Sequence, residues 1–316
     1  MNRYEEEYVT VNGIEHYLLH YPKALDAPVL LYLHGGPGSF ESLFAYELDQ
    51  TWGDCFTHVH WDQRGAGKTL RRNGKRGIPE SMDQMLDDLH GIVSYLQRKY
   101  EADKVVLLGH SWGSVLGSFY TLKHPGQVLS YIGVGQVISM RENERTAYRD
   151  VLSMAEQAGN KKHIQALEKL GAYPSDDPER LLKQIPKMRK IQEAYDNGPM
   201  SGSGMGEMLK TIWHSPSFRW GDIISFLRIM KVNQPLLMQM LSFDLNDSPP
   251  HYDVPVHYIL GDLDNITPTS LGKAYFETID APLKTIRVIS GAGHNPMYEK
   301  PDEFADALRA VREMIQ

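Results

Sequence analysis

The chain reads as an α/β protein: a mostly parallel sheet covered by helices on both faces, with a helical cap inserted into it. Three observations predict this. Short, continuous apolar runs at 29–34 (VLLYLH), 56–61 (FTHVHW) and 105–110 (VVLLGH) have the length of strands buried on both faces. Helical stretches alternate with them, as parallel strands joined by crossovers require. The alternation stops near residue 136 and resumes near 251, and the residues between are helical, Met-rich and polar.

Taken in order, YVTVNGIEHYLLH at 8–20 places two extended runs around Asn12-Gly13, a strong two-residue hairpin signal. The first buried strand, 29–34, ends in a Gly-rich turn, and 56–61 is the second. Ser81 opens a helix, Gln84 completes a capping box, and Met82, Met85, Leu89, Val93 and Leu96 form its apolar stripe. The run 105–110 passes directly into a helix that ends before Pro125. The insertion is punctuated by Pro186, Pro199, Pro216 and Pro235 and contains a flexible stretch, GPMSGSGMG, at 198–206. Its Met205, Met208, Met230, Met238 and Met240 suit ordinary apolar packing or a pocket wall. Strands return at 254–262 (VPVHYILGD) and 283–291 (LKTIRVISG), and a last helix after Pro301 puts Phe304, Leu308, Val311 and Ile315 on one face. The expected organisation is a core of residues 1–135 and 251–316 with a cap of 136–250.

Composition narrows the function. At 41% hydrophobic and 23% charged, the 316 residues are those of an ordinary globular protein. The single cysteine, Cys55, excludes an intramolecular disulfide and fits a reducing, cytoplasmic setting. The N-terminal MNRYEEEYVT is acidic where a signal peptide is basic and then apolar, and no run is long enough to span a membrane. A net charge of −7 argues against nucleic acid. The expected partner is a small molecule or short peptide substrate. GAGKT at 65–69 lacks the first glycine of a phosphate-binding loop, since Asp62 stands there. His58 and His60 share one strand face and read as a buried pair rather than metal ligands. No cofactor or metal is expected.

The chemistry is carried by Gly109-His110-Ser111-Trp112-Gly113, a G-x-S-x-G pattern between a strand and a helix. A sharp turn there exposes the serine hydroxyl, and side chains on the flanking glycines would collide. A serine needs a base, and the base needs an acid to orient it. His294 follows the strand at 283–291, and Asp264 follows the one at 254–262, in the order Ser, Asp, His. Asp262 is the competing acid; Asp264 is preferred because the loop must carry the carboxylate clear of the strand end. Oxyanion donors are expected from the backbone N–H of Trp112 and from the loop His34-Gly35-Gly36-Pro37-Gly38. Proline has no N–H, so Gly36 is the donor there, and His34 braces the loop.

Together HGGPG (34–38), DQRGAGKT (62–69), GHSWGS (109–114), GDLD (261–264) and GAGH (291–294) resemble the proline iminopeptidase group of α/β hydrolases. The resemblance covers roughly 29–125 and 254–300. It implies the α/β-hydrolase fold, a Ser111–Asp264–His294 triad and an oxyanion hole at Gly36 and Trp112. It also implies removal of an N-terminal residue from peptides, with cap carboxylates holding the free amine. Glu142, Glu144, Glu207, Asp244 and Asp247 are the candidate anchors. Two departures stand out. The family's G-x-G-x-S is Gly65-Ala66-Gly67-Lys68-Thr69, and the Trp-Glu element that grips the amine is missing, since Gly221 follows Trp220. An esterase or lactonase on the same machinery is the alternative, and a ligand receptor that keeps the fold is a third reading.

Overall fold

The computed structural model describes residues 4–23, 27–39, 41–52, 55–195, 205–226, 228–247 and 250–315. Eight strands form one sheet: β1 (Glu5–Val11), β2 (Ile14–Tyr21), β3 (Val29–Leu33), β4 (Thr57–Asp62), β5 (Val105–His110), β6 (Val128–Val134), β7 (Val256–Gly261) and β8 (Lys284–Ile289). Their order is β1-β2-β4-β3-β5-β6-β7-β8. β2 pairs antiparallel with both β1 and β4, and every later pairing is parallel. Asn12 and Gly13 both have positive φ, 46° and 77°, as the expected two-residue hairpin demands.

Alternation along the central strands divides the core into two layers. Leu31, Leu33, Val105 and Leu107 face one apolar cluster, whereas Leu30, Tyr32, Val106 and Leu108 face the other. Helix Met82–Lys99 buries Met85, Leu89, Ile92, Val93 and Leu96 against the first. Ser81 caps it by accepting the Gln84 N–H at 3.2 Å, and the Gln84 side chain reaches back one residue further than expected, to the Glu80 N–H. Helix Pro301–Ile315 covers the other face with Phe304, Leu308 and Val311.

Between β6 and β7 the described chain is helical, with Met140–Gln157, Lys161–Glu168, Pro178–Gln192, Met205–His214, Gly221–Phe226, Ile229–Val232 and Gln234–Met240. Ala147, Val151, Ala155, Leu167, Met188 and Ile191 give this insertion a small core of its own. Of the five methionines read from the sequence, Met240 is buried, Met238 is half-buried, and the side chains of Met205, Met208 and Met230 lie outside the described residues. Lys68, from the GAGKT stretch, reaches the buried Asp222 carboxylate at 3.2 Å, and Arg71 reaches it at 3.1 Å. Gly221 packs beside this contact, where a Cβ would lie 2.6 Å from the Arg71 guanidinium and push that flexible side chain aside. His58 and His60 are buried and face each other at 3.0 Å, with Asp49 at 3.2 Å from His58. Among the described residues, no three His, Cys, Asp or Glu could hold a metal ion, and no helix is long and apolar enough to cross a membrane.

Candidate active site

Ser111 sits between β5 and helix Trp112–Lys123 with φ +53° and ψ −119°. That region is costly for a residue with a Cβ, and it persists where the surroundings over-determine it. The surroundings do so here. A Cβ on Gly109 would lie 2.5 Å from the Gly113 carbonyl, and one on Gly113 would lie 1.9 Å from the Leu33 carbonyl. The Ser111 N–H donates to the Val134 carbonyl at 3.0 Å, which ties the turn to β6.

The two loops after β7 and β8 meet at a hydrogen-bonded pair, His294 Nδ1 to Asp264 Oδ2 at 2.9 Å. Asp264 is buried and well supplied with donors: the N–H groups of Ile266 and Thr267 at 2.9 Å on Oδ1, and the Thr267 hydroxyl at 2.6 Å on Oδ2. Burial raises a carboxyl pKa, but His294 and these donors outweigh it and hold Asp264 below its ordinary value. The acid is therefore an anion that accepts from His294. Asp262 has a different task. Its carboxylate accepts the Gly291 N–H at 2.7 Å and the Ser290 hydroxyl at 3.0 Å, so it shapes the histidine loop from outside. Gly135 packs on the imidazole, where a Cβ would lie 3.0 Å from His294 Cε1.

The elbow and the histidine loop are adjacent: the rings of His110 and His294 lie 5.0 Å apart. The Gly-rich loop closes the third side, since a Cβ on Gly35 would sit 3.3 Å from Ser111 Cβ. Gly36 has φ +115°, and a side chain there would lie 2.5 Å from the Gly38 backbone nitrogen. His34 braces this loop as a neutral imidazole, because its Nδ1 faces the Gly35 carbonyl at 2.8 Å while Nε2 accepts the Gln63 N–H at 3.1 Å. Burial lowers its pKa, in keeping with the neutral form. Gln63 in turn accepts the Trp112 indole N–H at 3.0 Å. The sequence-predicted Ser111, Trp112, Asp264, His294 and Gly36 thus gather at the carboxyl ends of the parallel strands, where sites of such sheets form.

The candidate amine anchors are scattered. Glu144 is fully buried, but its carboxylate is taken by Arg189 and the Tyr173 hydroxyl. Glu142 pairs with Arg145 at the surface. Asp244 accepts the Asn246 N–H at 2.9 Å in a turn, and Asp247 is exposed. The side chain of Glu207 lies outside the described residues, as does most of the Gly-rich stretch at 198–206. Two contributors escaped the sequence reading. Thr267 could have been found from Asp-x-x-Thr, a spacing at which an Asp carboxylate turns back on the chain. Glu41, six residues past Gly35, carries no local signal.

The chain is 27% identical to a probable aminopeptidase of Bacillus subtilis over 285 residues, covering 89% of this chain and 87% of that protein. It is 25% identical to a proline iminopeptidase of Heyndrickxia coagulans over 289 residues, covering 88% and 87%. Its fold matches the proline iminopeptidase-related protein of Thermus thermophilus with a TM-score of 0.68 across 99% of this chain and 98% of that one, at 21% identity. The model of the α/β-hydrolase fold family matches residues 28–301. The chain therefore belongs to the α/β hydrolases, in their proline iminopeptidase-like group, and is a hydrolase.

Proposed function

We propose that this hydrolase cleaves small acyl bonds through a Ser111 acyl-enzyme, as an aminopeptidase of the iminopeptidase type. One observation carries the reading: a serine held at positive φ beside a histidine whose Nδ1 is fixed by a buried, ionised aspartate at 2.9 Å. In this mechanism Ser111 Oγ attacks the carbonyl carbon and gives its proton to His294 Nε2. Asp264 holds the imidazole in the Nδ1–H tautomer and stabilises the imidazolium that forms. The tetrahedral oxyanion is met by the backbone N–H groups of Trp112, at a helix N-terminus, and Gly36. His294 then delivers its proton to the leaving nitrogen. Water, activated by the same imidazole, releases the acyl group.

The helical insertion, 136–250, serves as a cap that selects substrates. Three contacts onto the site loops support this. Gln192 donates to the Asn265 carbonyl at 2.7 Å, next to Asp264, and Asn233 donates to the Gly65 carbonyl at 3.0 Å. Gly38 packs so closely under Ile229 and Asn233 that a Cβ would lie 2.4 Å from the amide of Asn233. The relatives named above support the aminopeptidase reading. The commitment of Glu144 to Arg189 favours a second one, an esterase or lactonase with no ammonium to satisfy.

Prolyl and alanyl arylamides, measured against their N-acetyl forms and against aryl esters, separate the two. A buried ammonium needs a carboxylate, and breaking such a pair costs about 3–5 kcal/mol. The aminopeptidase should therefore prefer the free amines by at least about a hundredfold in kcat/KM. Equal rates would leave the esterase.

A further inference from the structure

We infer that Glu41 and His110 form a positioning pair that locks the oxyanion loop, the nucleophile turn and the histidine loop to one another. This rests on the roles of Ser111 and His294 proposed above. The Glu41 carboxylate accepts the Gly35 N–H at 3.3 Å and the Tyr32 hydroxyl, and its Oε1 lies 3.4 Å from His110 Nδ1. The other ring nitrogen, His110 Nε2, lies 2.9 Å from the backbone carbonyl of His294. One carboxylate and one imidazole thus link three separate segments, and His110 is the immediate neighbour of Ser111.

The protonation state follows from the partners. His110 faces two acceptors, a carboxylate and a carbonyl. A neutral imidazole has one N–H and can satisfy only one of them; an imidazolium satisfies both. Burial alone would lower the pKa of His110, but Glu41, the His294 carbonyl and Asp264 outweigh it and raise it. Burial likewise pushes Glu41 up, yet His110 and the Tyr32 hydroxyl bring it down to about 2. The charged groups and rings facing the pair are Asp264, His294, His34, Tyr32 and Tyr298. The pair is neutral as a whole, so it adds no net charge beside the serine. Its effect is geometric: it sets the distance from the strained turn to the base loop, and from both to the oxyanion donors. A misplacement of about 1 Å at such a site can cost on the order of a hundredfold in rate.

The test uses the second-order rate of inactivation by a small fluorophosphonate, a probe with no amine to titrate. Ser111→Ala should not react. Glu41→Gln should react about 10- to 100-fold more slowly at neutral pH, with Glu41→Asp recovering part of the loss. Removing one buried charge alone can prevent folding, so the neutral double variant Glu41→Gln/His110→Gln carries the same test. It should fold, show the same slowing, and lose the alkaline decline expected of the wild type as His110 gives up its proton. A double variant with the wild-type rate and the wild-type alkaline limb overturns the pair. Reaction of Ser111→Ala overturns instead the nucleophile assignment beneath it.

Discussion

The loops at the strand ends and the helices of the insertion both bury carboxylates, but they give them different partners. In the loops, Asp264 and Glu41 face imidazoles, His294 and His110, and accept backbone N–H groups from neighbouring turns. In the insertion, Glu144 meets Arg189 and Tyr173, and Asp222 meets Lys68 and Arg71. A carboxylate opposite an imidazole can orient a group whose protonation changes within a reaction. A carboxylate opposite a guanidinium or ammonium is fixed in charge and holds helices together. The buried acid is common to both regions, and its partner decides which task it performs.

The contrast is sharpest within one loop. Asp264 and Asp262 are two residues apart, yet one accepts from His294 and the other from the Gly291 N–H. Asp264→Asn should lower kcat by roughly four orders of magnitude, because an amide cannot hold the required tautomer. Asp262→Asn removes a charge from an exposed turn and should stay within about tenfold of wild type, since the amide oxygen still accepts a hydrogen bond and an exposed charge contributes only about 0–1 kcal/mol. Steady-state rates of the two variants on one substrate decide it, and a reversal of their severity would move the acid to Asp262.

For the insertion the expected loss is in stability. Glu144→Gln leaves the Arg189 guanidinium without its anion in a largely buried setting. The cost should be about 3–5 kcal/mol, read from urea unfolding. The rate of labelling by a small fluorophosphonate below the transition should be unchanged. A variant with wild-type stability and slower labelling would place Glu144 in the site and erase the distinction between the regions.

The same contrast explains what the sequence disclosed. The strands, the elbow and the two loop residues were legible because each rests on local rules. An apolar run of set length, glycines where a Cβ would strike the backbone, and an acid and a histidine after successive strands can all be read along the chain. Ser111, Asp264 and His294 stand 153 and 30 residues apart, yet each has its own strand end to mark it. Glu41 and Arg189 have no such mark. Their roles depend on residues brought together only by the fold, His110 at 69 positions from Glu41 and Glu144 at 45 from Arg189. The acids of the insertion looked alike in sequence for the same reason. Glu142 and Glu144 differ by two positions, and helical geometry sends one to the surface and the other into the core.

A smaller effect should separate the sheet's structural histidines from the paired ones. His16 and His257 are fully buried without an ion pair strong enough to keep them charged, and burial brings both down to about 4. Their ordinary value in the unfolded chain is about 6.5. Between those values the unfolded chain binds a proton at each site that the native protein does not, so stability falls as pH falls through this window and levels off below it. From pH 7 to pH 5 each should remove about 2 kcal/mol. His34, His58 and His60 are lowered by burial too and act in the same direction. His110 acts oppositely: its pKa is raised, so its contribution is complete below about 6.5 and is lost only on the alkaline side. Glu7 and Glu41, both held at about 2, lose their contribution as pH falls from the ordinary carboxylate value toward 2, below the window. Urea unfolding at pH 7 and pH 5 should therefore show a drop of at least about 4 kcal/mol for the wild type. His257→Asn offers a non-titrating partner to the Thr285 hydroxyl, which lies 2.7 Å from His257 Nδ1, and should shrink the drop by about 2 kcal/mol. A variant with the same pH dependence as the wild type would mean that His257 keeps its proton in the core, and that an acceptor for it lies beside Nε2.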